Sequence, residues 1–340
     1  MAGANLQKRH NLHRSPQRFA IAEAGCFGYK VAGLTFRSRK IFRVLFAVLI
    51  CPVPLRKFSL DSSPIGPGGV GKTMLELQVA VLLATGLGHC DPLFGPATFD
   101  GLPMSPKKVV LVAAEEPINV LWQRLHAIVQ SLNQRDVLPD DMSWQEFLQH
   151  LEQNLLLYPL AGAQRVNLLT PDLAPSEAAQ ELAALSRGAR LLIVDPLRQL
   201  HLGDENHSAP MSALMSVFKQ VAQKSGVAVL VAHHSSRAAG LQGYGDTSDA
   251  GRGSTALKDD ARWQINLVPP TREVLDAHGV PTNQASAHAV LVDAKNNYGP
   301  KRASVLLRRT AGGVFVPVQP VAIAGVSANK KSGLFKKGGV

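Results

Sequence analysis

The sequence predicts an α/β fold: a mainly parallel sheet flanked by helices, with antiparallel strands added at one edge. Three observations predict it. A glycine-rich turn, Gly66-Pro67-Gly68-Gly69-Val70-Gly71-Lys72-Thr73, runs straight into a stretch that lacks Pro and Gly. Four short apolar runs then alternate with stretches of helical character, the pattern of parallel strands joined by helices that cover both faces. The last runs follow one another without that alternation.

Residues 74–84 (MLELQVAVLLA) read as the first helix. Residues 107–114 (KKVVLVAA) read as a buried strand and 117–133 as a helix. A short strand is expected at 154–158 and a second helix at 176–186. Residues 190–195 (RLLIVD) form the next strand, 209–225 a helix and 227–232 (VAVLVA) another strand. The runs 264–268, 287–293 and 304–307 are the antiparallel additions. The core shows neither an internal repeat nor a low-complexity stretch.

The glycine-rich turn fits G-x-x-x-x-G-K-[ST] at all four fixed positions, the pattern of a phosphate-binding loop. Glycines let the backbone fold around a polyphosphate so that amide N–H groups face its oxygens. Gly66, Gly68, Gly69, Val70, Gly71 and Met74 are therefore expected around the nucleotide. Lys72 would neutralise the β- and γ-phosphates, and Thr73 would place its hydroxyl on Mg²⁺. The helix that follows would aim its positive end at the phosphates. The competing reading is a chance match in a structural turn, and the helix after it speaks against that.

In open α/β sheets, ligands bind at the carboxyl ends of strands. Three strand ends carry suitable groups. Leu191-Leu192-Ile193-Val194-Asp195 is an apolar strand ending in an acid, the Walker B pattern, and Asp195 would hold Mg²⁺ through its water shell. Such an ending is common by itself and gains meaning beside the phosphate loop. Ala113-Ala114-Glu115-Glu116-Pro117 places two acids at another strand exit. They are either solvated loop residues or, for Glu115, the group that polarises the water attacking a γ-phosphate. His233 ends a third strand, where it would donate to the γ-phosphate; a lone His is more often structural.

Residues 235–253 contain five glycines with Arg237 and Arg252, and read as a long mobile loop. After it come RGSTALKDDARWQ and KNNYG, whose basic residues either reach a neighbouring subunit's nucleotide or serve as surface charge.

The formal charge of +11 sits at the ends. Residues 1–57 hold eleven Lys/Arg against Glu23, and residues 329–340 add four lysines. Residues 58–328 hold 21 basic and 24 acidic side chains, a balance of −3. Overall charge is thus no evidence that the central part binds nucleic acid. Three cysteines, Cys26, Cys51 and Cys90, lack the pair spacing of a zinc or redox site, and a reducing cytoplasm is the expected location.

Three parts are expected. Residues 1–57 form a basic, atypical extension that is poorly ordered or misassigned. Residues 58–320 form the core, and residues 321–340 a basic flexible tail. Within the extension, the apolar run 41–55 holds an Arg and two prolines and is too short to span a bilayer. A membrane-surface helix is the competing reading. The lead-in to the phosphate loop, residues 58–65, is polar and contains Pro64, unlike the buried strand that normally precedes such a loop. The start of the domain reads as replaced, for instance by a shifted reading frame.

In order, GPGGVGKT, AAEEP, LLIVDPLRQLH, VLVAHHSS, RGSTALKDDARWQ and KNNYG resemble the RepA-type replicative helicases of plasmids. These are relatives of the DnaB group with a RecA-like P-loop NTPase core. The resemblance covers roughly residues 66–316; the segment before it departs from the family, which has an apolar strand there. It implies ATP and Mg²⁺ as cofactors, with Lys72, Thr73 and Asp195 in the phosphate and metal roles. It implies Glu115 as catalytic glutamate, His233 as the sensor coupling nucleotide to DNA, and Arg262 as an arginine finger reaching the adjacent subunit. It further implies a ring-shaped homo-hexamer translocating on single-stranded DNA, gripped by the loop 235–251. Arg237, Gly243 and Arg252 are the DNA-contact candidates. A primase or replication initiator would be a partner, and no membrane span is expected. The alternatives are a RecA-like DNA-binding ATPase that loads or regulates other factors without unwinding, and an inactive remnant of such a helicase.

Overall fold

A computed structural model describes residues 48–50, 64–65, 70–89, 105–162, 166–233 and 255–320. Gly66, Gly68, Gly69, Arg237, Gly243 and Arg252 lie outside the described residues, as do the loop 235–251, nearly all of 1–57 and the tail 321–340.

One sheet organises the chain. Its strands are β1 (Val48–Ile50), β2 (Pro64–Ile65), β3 (Val109–Ala113), β4 (Leu155–Pro159) and β5 (Leu191–Asp195). They continue as β6 (Ala228–Val231), β7 (Trp263–Val268), β8 (His288–Asn296), β9 (Val305–Arg309) and β10 (Phe315–Pro317). The order is β10-β9-β8-β7-β1-β6-β5-β3-β4, with β2 pairing β7 off this path. Strands β4, β3, β5 and β6 are mutually parallel. Their apolar side chains are buried along both faces, as a sheet covered on both sides requires. Strands β7 to β10 pair antiparallel, each with the next. The mainly parallel α/β sheet with antiparallel edge strands is therefore the observed architecture.

Two details depart from expectation. Val48–Ile50, within the segment read as an extension, pairs antiparallel with both β6 and β7 and so lies in the middle of the sheet. The lead-in to the phosphate loop, read as lacking a strand, does form one: Pro64 and Ile65 pair in parallel with Ile265 and Asn266 of β7. Proline tolerates this place because it starts the strand, where a missing N–H costs little.

The helices are α1 (Lys72–Thr85), α2 (Ile118–Gln134), α3 (Trp144–Asn154), α4 (Glu177–Leu185), α5 (Ser208–Ser225), α6 (Thr255–Asp260) and α7 (Arg272–Ala277). Every residue of α1 is buried, which is why its sequence shows no polar face. It packs against α2, α3 and strands β3, β4 and β5; on another part of the sheet α5 packs against α4 and α6. Helix α3 is absent from the sequence reading, yet its start is a capping box. Ser143 Oγ accepts from the Glu146 N–H, and Glu146 Oε2 accepts from the Ser143 N–H. Helix α4 starts at Ser176, whose hydroxyl accepts from the Ala179 N–H. No helix among the described residues is long and apolar enough to cross a membrane.

Strand β10 closes the structure over α1. Gln78 Nε2 donates to the Phe315 carbonyl at 2.9 Å, and the Phe315 N–H donates to Gln78 Oε1 at 2.8 Å. A helix side chain thereby serves the last strand as a neighbouring strand would.

Candidate functional site

The site is assembled where β3, β5 and β6 end and α1 begins. Gly71 precedes α1 at φ 90°, in the left-handed region that glycine adopts without strain. A Cβ there would meet Phe315 Cζ at 2.8 Å, so space as well as torsion demands glycine. Gly71 offers no side chain to cap α1, and the first turn carries no acid. The helix start is thus suited to an anion, which would satisfy its exposed amides. Val70 is buried beside it, and Met74 is 2% exposed, with its side chain in the core. Met74 can therefore offer a nucleotide its backbone alone.

Lys72 and Thr73, the first residues of α1, turn towards β5. Thr73 Oγ1 donates to Asp195 Oδ2 at 2.7 Å. Lys72 is 3% exposed. Burial pushes its ammonium down to about 7, against the pull of Asp195, Glu76 and Glu115. Burial likewise pushes Asp195 up to about 6, although the hydrogen bond from Thr73 favours its charge. A buried cation and a buried carboxylate thus wait at a cost in desolvation, which a phosphate and a cation would relieve.

Glu76, one turn along α1, does not stand out in the sequence. It is 1% exposed and lies against Asp195. Burial first, and then the Asp195 charge, push its carboxyl well above the usual range. Two carboxyls can share a hydrogen bond when one keeps its proton, and Glu76 is the one that keeps it. Apart from that shared contact, Asp195 Oδ1 and both Glu76 oxygens meet no hydrogen-bond donor among the described residues. Buried oxygens of this kind, beside the Thr73 hydroxyl, fit a hard divalent cation such as Mg²⁺.

The two acids after β3 divide their roles. Glu116 pairs with Arg124 of α2, and burial raises its carboxyl above the usual range against that pull. Glu115 is exposed and accepts from Gln199 Nε2 at 3.3 Å. The backbone fixes this spacing, because the Ala114 N–H donates to the Asp195 carbonyl at 2.7 Å. Glu115 is therefore the acid presented at the strand ends.

His233, just beyond β6, is fully buried. Its Nδ1 lies 3.7 Å from Glu205 Oε1. The same oxygen lies 4.0 Å from Nε2 of His201, also fully buried. Neither Glu205 nor His201 stands out in the sequence, where they fall in an unremarkable turn before α5.

Arg262 is exposed between α6 and β7, while its carbonyl accepts from the Asn297 N–H at 2.9 Å. Its acidic neighbours are tied back: Asp260 pairs with Lys219, and the Asp259 carbonyl accepts from Lys295 at 3.4 Å. Its exposed side chain is compatible with a role on another protomer. The structure brings Lys72, Thr73, Asp195 and Glu115 to one place, whereas Arg262 belongs to a separate, solvent-facing segment.

Residues 62–240 match the family model described as an AAA domain. Three solved structures are similar to the chain. One is the ATPase domain of a DnaB-like helicase, 17% identical over 75% of this chain and 83% of that one, with a TM-score of 0.45. A second is the RadB recombinase, 17% identical over 75% and 88%, with a TM-score of 0.41. The third is the flagellar accessory protein FlaH from Methanocaldococcus jannaschii, 12% identical over 74% and 86%, with a TM-score of 0.39.

Proposed function

The chain belongs to the AAA domain family, and from that premise we propose that it is an ATP-dependent DNA helicase, a ring-shaped translocase on single-stranded DNA serving plasmid-type replication. The observation that supports the ATPase part best is the Thr73–Asp195 hydrogen bond beneath a glycine-started helix, with buried Lys72 beside it. Gly66, Gly68, Gly69, Val70 and Gly71 would wrap the phosphates with their amides. Lys72 would offset the β- and γ-phosphate charge. Thr73 and Asp195 would hold Mg²⁺, which when bound draws charge from the phosphate oxygens. Glu115, held by Gln199, would orient the attacking water.

The motor part rests on the motif order and on exposed Arg262. In a homo-hexamer Arg262 would reach the γ-phosphate bound by the next protomer, a contact of a kind worth on the order of 10³ to 10⁵ in rate. Arg237, Gly243 and Arg252 would meet the DNA strand in the channel. With a central charge of −3, grip would be modest, independent of base sequence and sensitive to salt. A primase or initiator would supply the replication context in the cytoplasm.

The test is ATP hydrolysis with and without single-stranded DNA, comparing the native chain with Arg262→Ala, followed by strand displacement. DNA-stimulated turnover that Arg262→Ala abolishes while nucleotide still binds supports the interfacial motor. Turnover without strand displacement would instead identify an ATPase that loads or regulates other factors. Absence of ATP binding would mark an inactive remnant.

A further inference from the structure

The hydrolysis scheme leaves two buried ionisable groups unused, His201 and Glu205, and they meet at His233. Glu205 Oε1 lies 3.7 Å from His233 Nδ1 and 4.0 Å from His201 Nε2. Both imidazoles are fully buried, and the Glu205 side chain is 12% exposed. The three come from different places. His233 follows β6, His201 follows the turn after β5, and Glu205 stands just before α5.

The segment that carries Glu205 is held firmly. Arg198 donates to the carbonyls of His201 and Gly203 at 3.3 and 3.4 Å. Asp204 Oδ1 accepts from the backbone and the side chain of Asn206, both at 2.9 Å. Gly203 packs so tightly on Pro210 that a Cβ would lie 2.7 Å from it. The ends of β5 and β6 are joined by the Ala232 N–H to the Val194 carbonyl and the Leu197 N–H to the Ala232 carbonyl, each 2.8 Å. The carboxylate therefore cannot drift from the imidazoles without unfastening several bonds.

A carboxylate accepts hydrogen bonds and donates none, so an imidazole nitrogen facing it carries hydrogen. A carboxylate this enclosed also demands positive charge nearby. One extra proton on either imidazole supplies it, and His233 is the nearer of the two. The other charged groups around the pair look elsewhere. Arg198 is spent on carbonyls, and Asp204 faces Asn206 and the exposed His207.

We propose that Glu205 is a positioning residue for His233, fixing a proton on Nδ1 and holding the ring as imidazolium so that it donates to the γ-phosphate, with His201 competing for the same oxygen. The role rests on the ATPase reading and on His233 as the γ-phosphate sensor. The balance is simple: one proton is held by the cluster, none is transferred to substrate, and the nucleotide gains a charged donor instead of a neutral ring.

The experiment measures equilibrium affinity of the full chain for Mg²⁺–ATPγS and Mg²⁺–ADP from pH 6 to 9, for the native chain, Glu205→Gln and His201→Gln. The native chain is expected to prefer ATPγS, and to lose that preference as His233 deprotonates. In Glu205→Gln the preference at pH 7.5 falls ~10-fold and its loss moves down by about one pH unit, while ADP affinity stays within about twofold. In His201→Gln the loss moves to higher pH, because His233 no longer shares the carboxylate. An unchanged preference and pH profile in Glu205→Gln overturns the inference. So does an equal fall in both affinities, the mark of a packing role. A downward shift in His201→Gln overturns it as well, and keeps the test decisive should Glu205→Gln fold poorly. A native chain that binds both nucleotides equally removes the sensor role and this inference with it. A native chain that binds neither overturns the ATPase reading itself.

Discussion

Gln78 and Phe315 exchange two buried hydrogen bonds across 237 residues of sequence. The amide of Gln78 occupies the place of a strand neighbour for β10, and the Phe315 ring lies over Gly71 at the start of α1. The end of the antiparallel edge and the phosphate loop are therefore one packing unit. Replacing Gln78 by Ala leaves a buried N–H and a buried carbonyl without partners. The expected loss is about 2–4 kcal/mol in denaturant unfolding, with nucleotide affinity falling in parallel.

Gly71→Ala should abolish nucleotide binding. The substitution forces an L side chain into the left-handed region, costing about 1–2 kcal/mol, and drives a methyl group onto the Phe315 ring. Adding Phe315→Leu is expected to restore part of the binding by relieving the second cost only. Calorimetric titration with ATPγS measures both.

Glu115→Gln and Glu116→Gln should separate, although the two acids are adjacent. Glu115 faces solvent and Gln199, so Glu115→Gln is expected to keep ATP binding and lose about 10²-fold or more in turnover. Glu116 is tied to Arg124, so Glu116→Gln should mainly lower the melting temperature and leave turnover within several-fold. Single-turnover hydrolysis beside thermal unfolding reads the difference.

Asp195→Asn should stabilise the nucleotide-free chain at neutral and alkaline pH. Burial raises the Asp195 carboxyl from 3.8 to about 6, so the native state binds more protons than the unfolded state between those values. Native stability then falls as pH climbs through that window. The variant escapes this loss, so its advantage is absent below about pH 4, grows through pH 6 and levels off at up to about 3 kcal/mol. Unfolding at pH 4, 6 and 8 without Mg²⁺ checks the sign. The same variant should bind Mg²⁺–nucleotide poorly, placing the stability cost and the proposed function on one carboxylate.

What the sequence made legible was local. The phosphate loop, the strand ending in Asp195 and the exit at Glu115 each announce themselves within a few consecutive residues, and the alternation of apolar runs announces the parallel sheet. Helix α3 is legible in principle too: Ser143 and Glu146 stand three apart, the spacing of the capping box they form. Other features depend on contacts between distant segments. Nothing near Gln78 foretells Phe315, and nothing in the turn at 201–207 foretells that Glu205 will stand between two imidazoles. Val48–Ile50 likewise does not read as part of the sheet. An apolar run says that it is buried, while its partners and its direction are decided by which slot between β6 and β7 remains to be filled.

Helix α1 is enclosed on every side, down to its last residue. Close-packed surroundings give such a helix no room to slide or tilt without opening the core around it. If ATP turnover moves this protein, α1 and the lysine at its head must be the stationary frame. Travel then falls to the parts that face solvent, the Glu115 exit and the Arg262 segment. Force would be delivered at the rim while the phosphates are held against an immobile centre.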